Sequence, residues 1–254
     1  RPESESGRIA LEIQKRILAL DEGAGVDVFD LGKSPLPFWD ESAWDDGERW
    51  VTHWKPISDR LKTADALVFV TPEWGGMVPP ALKNFFLLCS KQELSHKPGL
   101  IVSVSSGIMG GSYPVAELRM SSYKNTQICY IPEQIIIKQV TERLRSTEPS
   151  GPAAEEDRKL RARLDHALRL LKQYGLALHN YASTYGCFPS GGEGTVMSGT
   201  GAYGAGFDLH STHTLLLPFL EQESVYKLIN LGLRYDESGQ NATPFKTPIK
   251  TFIC

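Results

Sequence analysis

Residues 65–90 read DALVFVTPEWGGMVPPALKNFFLLCS, and the fold turns on how this stretch is divided. Residues 66–70 are an apolar run and predict a strand. Pro72, Glu73, Trp74, Gly75 and Gly76 then predict a turn. Gly75 and Gly76 have no Cβ, so the backbone there can take positive φ and approach a flat ligand closely. Pro80 suits the first turn of a helix, where its missing N–H costs little. Ala81, Leu82, Phe85, Phe86 and Leu88 give that helix a buried side, with Lys83 and Asn84 near its polar side. A strand that empties into a glycine-rich turn and a helix start is how open α/β sheets build ligand sites at the carboxyl edge of their strands. The same pattern also serves as a plain strand-to-helix turn, and spacing alone leaves both readings open.

A second stretch repeats the arrangement. Residues 99–123, GLIVSVSSGIMGGSYPVAELRMSSY, predict a strand over 100–104, a glycine-rich turn over 105–112, and a helix from near Pro114 carrying Ala116, Leu118 and Arg119. Two such turns after successive parallel-type strands are much harder to explain by chance than one.

The residues of both turns resemble a known family. TPEWGGMVPPALKNFF, residues 71–86, is similar to the Pro-Glu-Tyr-Asn turn and Leu-Lys-Asn helix of the NAD(P)H-dependent FMN reductases. Trp74 stands where that family usually has Tyr, and Gly75 where it usually has Asn, which leaves the contact to backbone groups. The second turn resembles the family's Ser/Thr-Gly-Gly loop, and the resemblance sets Ser106, Gly107, Gly110 and Gly111 against the flavin edge. It implies a flavodoxin-like, doubly wound parallel sheet that binds FMN noncovalently.

The opening RPESESGR, residues 1–8, feeds a helix whose Ile9, Ile13, Ile17 and Leu20 share one face. Ser4 or Ser6 can cap its start, and serines beside the positive end of a helix also make a phosphate site. The stretch resembles the second half of the reductases' Gly-Ser-x-Arg-x-x-Ser phosphate loop, with Arg1 as its Arg, Ser4 as its later Ser and Ser6 close behind. The resemblance implies that the preceding Gly-Ser and the whole first strand are missing. The expected fold is therefore the flavodoxin-like sheet lacking its first strand, with strands two and three set apart by roughly 9 to 10 Å, two strand spacings. The chain reads as a fragment of a longer protein.

The intervening elements follow from periodicity. VDVFDLG, residues 26–32, predicts an alternating strand. A long loop over 33–48 follows, in which Trp44 is expected to pack on the domain's own surface. Residues 49–62 predict one amphipathic helix through Trp50, Trp54, Ile57 and Leu61. IPEQIIIK, residues 131–138, predicts the closing strand. After a Pro-, Ser- and acid-rich linker, residues 155–178 predict a helix with Leu160, Leu164, Leu168, Leu171 and Leu178 inside; its interleaved acids mark a solvated face rather than a nucleic-acid site.

Composition excludes several classes. The 254 residues are 41% hydrophobic and 22% charged, with a formal net charge of -3, which gives no case for nucleic acid or an anionic membrane. No stretch approaches the about 18 apolar residues a spanning helix needs, and the first residues are not a signal peptide. Cys89, Cys129, Cys187 and Cys254 lie far apart; sequence leaves a disulfide between Cys187 and Cys254 open. His179, His210, His213 and Cys187 form no close cluster of four, so no metal site is expected.

Charge thins out beyond residue 178: only Lys227, Arg234, Lys246 and Lys250 are basic, and residues 190–206 are glycine-rich. This predicts two domains, 1–178 and 179–254, the second a small irregular α+β tail. LKQYGLALHNYASTYGCFP (171–189), HTLLLPFLEQESVYKLIN (213–230) and IKTFIC (249–254) together resemble segments of a bacterial prepilin-like family of unknown function.

The resemblance of residues 1–178 implies a cytoplasmic, homo-oligomeric oxidoreductase with FMN and NAD(P)H as cofactors. It would pass hydride through flavin to a small-molecule acceptor of quinone, azo or flavin type, and would contact neither nucleic acid nor membrane. Because the flavin carries the hard step, no catalytic acid or base is required of the protein. The expected site residues are binding ones: Arg1, Ser4, Ser6, Pro72, Glu73, Trp74, Gly75, Gly76, Ser106, Gly107, Gly110 and Gly111. The alternative is a non-catalytic fragment or chimera whose tail is a prepilin-like structural module.

Overall fold

A computed structural model describes residues 4–45, 47–145, 153–189, 210–233 and 239–249. The chain divides into two compact units, Arg1–Leu171 and Lys172–Cys254.

The first unit opens with α1 (Glu5–Leu20), which buries Ile9 and Ile13 and is capped by Ser4, whose Oγ accepts the Gly7 N–H at 2.8 Å. α2 (Glu48–His53) and α3 (Lys55–Thr63) follow. Then come β1 (Leu67–Pro72), α4 (Pro80–Leu88), α5 (Lys91–Leu94) and β2 (Pro98–Val104). α6 (Ser112–Ser121), α7 (Tyr123–Thr126) and β3 (Cys129–Ile137) complete the sheet, and α8 (Ala153–Tyr185) starts in this unit.

The three strands are parallel in the order β1-β2-β3, with Phe69 opposite Ile101 and Ile101 opposite Gln134. Each connection between parallel strands is a helical crossover, the arrangement of an open α/β sheet with helices covering its faces. β2 is central and buried along its whole length. One face packs Phe69 against Phe85, Phe86 and Tyr130, with ring centroids 5.0 to 6.2 Å apart. Burying each such ring stabilises the fold by about 2 kcal/mol. α1 contacts β1, and α8 is tied to α1 through Arg16–Asp165 at 2.6 Å and Arg161–Glu12 at 3.4 Å.

Four expectations are corrected. Residues 26–32 form no strand. The Val26 carbonyl is taken by the Gln14 side chain and Asp27 pairs with Arg60, while Asp30 starts a turn by accepting the Gly32 N–H. An extended segment becomes a strand only where a neighbour supplies a ladder, and among the described residues no strand pairs with this one. Residues 49–62 form two helices rather than one, since Pro56 has no N–H to continue the ladder and the chain breaks at Trp54. Trp44 does not pack down: it is 74% exposed, and among the described residues its one aromatic contact is with the edge of Trp39. Asn84 is buried, its amide bridging Trp39 N–H and the Pro37 carbonyl, and so fastens the 33–48 loop to α4.

The described residues of the second unit are helical: the end of α8, α9 (Thr212–Leu216), α10 (Glu223–Tyr226) and α11 (Gly239–Ala242), with 3-10 turns at Leu217–Leu220 and Pro244–Lys246. An α+β tail was expected, but no strand occurs among them. Leu217, Val225 and Ile229 form a small core, and the buried Tyr174 hydroxyl lies 3.0 Å from His213 Nδ1. The glycine-rich run and Cys254 lie outside the described residues. No described helix is long and apolar enough to cross a membrane.

Candidate functional site

The two glycine turns lie side by side at the carboxyl edge of the sheet, because β1 and β2 are parallel neighbours that end together, Pro72 opposite Val104. The Glu73 N–H donates to the Val104 carbonyl at 3.0 Å, carrying the pairing one residue past β1. Trp74 and Met77 then exchange both backbone hydrogen bonds, at 3.0 and 3.1 Å, around Gly75 and Gly76. This is a two-residue hairpin loop whose central residues have φ of +57° and +75°. Such a turn demands positive φ at both positions, which Gly supplies at least cost.

The exit of this first turn is pinned to α6. Glu117 Oε2 accepts the Val78 N–H at 2.7 Å, and Oε1 pairs with Lys83 of α4 at 2.6 Å. Burial pushes the Glu117 carboxyl up, but the Lys83 ammonium and the Val78 N–H outweigh it and hold the group below the usual carboxylate range.

The second turn is built differently. Ser105 N–H donates to the Ile137 carbonyl at 2.9 Å, and Val140 N–H donates back to the Ser105 carbonyl at 3.0 Å, joining the turn to the exit of β3. Ser105 Oγ accepts the Gly107 N–H at 3.1 Å. Gly111, at φ +102°, precedes α6 and donates its N–H to Glu73 Oε2 at 2.6 Å. Glu73 therefore links the two turns directly.

The start of α1 reaches the same edge. Arg8 donates to the carbonyls of Val140, Arg143 and Leu144 at 2.7, 3.0 and 3.1 Å, so the helix start is bound to the segment that also holds Ser105. Ser4 is exposed and its Oγ lies 3.1 Å from Ser6 Oγ. The Glu5 carboxylate beside them is engaged by Arg8 and Arg145, while Ser4 Oγ also caps the helix by accepting the Gly7 N–H.

Of the sequence-expected residues, Pro72, Glu73, Trp74, Gly75 and Gly76 fall on the first turn, and Ser106, Gly107, Gly110 and Gly111 on the second, brought together by the sheet. Ser4 and Ser6 sit at the start of α1, and Arg1 lies outside the described residues. Arg8, Ser105, Glu117 and Val140 also hold the site together and were not anticipated. Their partners are distant in sequence, and the one local hint was opposite charge on Lys83 and Glu117, each on the helix that follows a turn.

The chemistry offered is binding rather than proton transfer. The N–H groups of Gly75, Gly76, Ser106 and Gly110 have no hydrogen-bond partner among the described residues. Trp74, 62% exposed, and Met109, 83% exposed, stand beside them with Met77, Ile108 and Tyr113 also open. Both nearby carboxylates, Glu73 and Glu117, are engaged by backbone N–H groups. Free backbone donors ringed by open apolar side chains fit a flat molecule with a polar edge, and the serine pair at the α1 start fits a phosphate.

Known proteins resemble parts of this chain. A quinone reductase of Pseudomonas putida is 38% identical over 80 residues, covering 30% of this chain and 42% of that protein. An NADPH azoreductase of a Bacillus species is 28% identical over 114 residues, covering 44% and 60%. The chain thus spans less than two thirds of the length of either relative. Among solved structures, the flavoenzyme NAD(P)H:(acceptor) oxidoreductase FerB of Paracoccus denitrificans superposes with a TM-score of 0.49 at 20% identity, over 65% of this chain and 88% of that one. Residues 169–254 match the pattern of a family described as a protein of unknown function, DUF1559. Residues 1–142, more than half of the 254, match the pattern of the NADPH-dependent FMN reductases, and the chain belongs to that family.

Proposed function

We propose that the first unit acts as an FMN-dependent NAD(P)H oxidoreductase that passes electrons to a quinone, azo or flavin-type acceptor. The observation that carries this reading is the pairing of two glycine turns at one sheet edge, with free N–H donors on both and an exposed indole on the first. Family membership and the names of the quinone reductase and azoreductase relatives support it. FMN, when bound, supplies the hydride chemistry.

The chain's own residues hold and orient it. Gly75, Gly76, Ser106 and Gly110 offer N–H groups to the polar edge of the ring, with Pro72, Gly107 and Gly111 shaping the turns and Trp74 covering the ring. Ser4 and Ser6, with Arg1, serve the phosphate. With this reading go a two-domain organisation, 1–178 and 179–254, a cytoplasmic location, and homo-oligomer formation through the reductase domain.

The test is FMN titration of the purified chain. Saturable quenching of flavin fluorescence, followed by NADPH oxidation that requires both FMN and an added quinone, is the expected result. If FMN is neither bound nor quenched, the reading gives way to a non-catalytic chain whose tail is the working module.

A further inference from the structure

Glu73 leaves β1 with its main chain on one turn and its side chain on the other. Its N–H is fixed to the last residue of β2, Val104. Its Oε2 accepts the Gly111 N–H at 2.6 Å, 38 positions along the chain, while Oε1 lies 3.4 Å from where a Cβ on Gly110 would stand. A hydrogen bond to a carboxylate is shorter and roughly twice as strong as one between neutral groups. Its acceptor here faces the start of α6, where the helix dipole also favours negative charge.

Gly111 needs such an anchor. At φ +102° it occupies a conformation that glycine enters freely and leaves freely. Packing holds one side of the residue, where Ile136 closes the space, but only the Glu73 bond ties its N–H to the first turn. The first turn needs no such help, since Trp74 and Met77 close it by themselves.

We propose that Glu73 is a positioning residue: it latches the second turn to the first and so sets the spacing of the free N–H groups of Gly75, Gly76, Ser106 and Gly110, instead of contacting the ligand. This role rests on the flavin reading of the two turns. It withdraws the Gly111 N–H from the ligand and makes both turns one preorganised surface, so that the ligand need not order the second turn on arrival.

The experiment compares Glu73→Ala and Glu73→Gln in the full chain, with thermal melts confirming that each folds. Amide hydrogen exchange is read without ligand, and FMN affinity by fluorescence quenching. Glu73→Ala is expected to speed exchange at Gly111 and to weaken FMN binding, each by about tenfold. Glu73→Gln keeps an acceptor oxygen and is expected to restore both to within about threefold of the unaltered chain.

Unchanged exchange in Glu73→Ala overturns the latch, whatever FMN does. Faster exchange with unchanged FMN affinity overturns the positioning role. Normal exchange in Glu73→Gln with FMN binding as poor as in Glu73→Ala overturns it too, since the charge itself would then act on the ligand. If the unaltered chain takes up no FMN, the flavin reading falls and takes the ligand half of this role with it, while the exchange data still decide the latch.

Discussion

Gly75 and Gly76 in the first turn and Gly110 and Gly111 in the second differ in what an added side chain would meet. At Gly75 and Gly76 the nearest atoms to a built Cβ, Met77 Cε and Tyr113 Cδ2, are 3.9 Å away, so only the positive φ excludes other residues. At Gly110 a Cβ would stand 2.1 Å from Ser105 Oγ and 2.8 Å from Ser105 Cβ. At Gly111 it would stand 2.5 Å from Ile136 Cγ2 and would also suffer φ of +102°. The first turn is a free hairpin shaped by conformation. The second is wedged against β3 and shaped by packing. One surface thus combines a turn that tolerates change with one that does not.

Gly111→Ala is the hardest blow to this contrast. Strain from φ adds to overlap with Ile136, and a loss of about 3 kcal/mol is expected in urea unfolding. A loss under about 1 kcal/mol would mean that β3 yields and that the two turns are alike.

Gly75→Ala should cost about 1 kcal/mol by the same measurement, since only conformation is at stake. Gly75→Asn should cost less, within about 0.5 kcal/mol, because Asn is among the residues that best tolerate positive φ. The family's usual Asn at this position then becomes intelligible as a second residue suited to the same backbone. Asn proving worse than Ala would show that space, not φ, governs the first turn.

The smallest effect concerns the exit of the first turn. Because the folded Glu117 carboxyl lies below its usual range, its contribution is present above the unfolded value and is lost as pH falls through the folded one. Glu117→Gln should cost about 0.5 kcal/mol at neutral pH, since the half-buried carboxylate still keeps part of its solvent screening. The difference in thermal melts should begin to shrink as pH falls through the ordinary carboxylate range and vanish below the lowered folded value. A difference that persists in acid would mean that Val78 is held by packing and not by the ionised carboxylate.

The strand-turn-helix units at 65–90 and 99–123 were readable because their determinants are local. Apolar runs, Gly pairs and Pro79-Pro80 or Pro114 sit within a few residues of the elements they bound. The misreadings share a different cause. Residues 26–32 carry a good strand pattern, but a strand exists only with a partner, and pattern cannot supply one. Residues 49–62 have helical periodicity on both sides of Pro56, and the periodicity masked the break. Asn84 looked like a polar helix face until the 33–48 loop came down upon it.

The sequence by itself determined that two glycine turns follow two strands, and that glycine stands wherever the chain takes positive φ in them, because these are properties of neighbouring residues. Only the tertiary structure decided that the turns form one surface. Parallel pairing of β1 with β2 puts their ends side by side, and a carboxylate on Glu73 then reaches an N–H on Gly111, a contact between residues whose proximity no local pattern encodes.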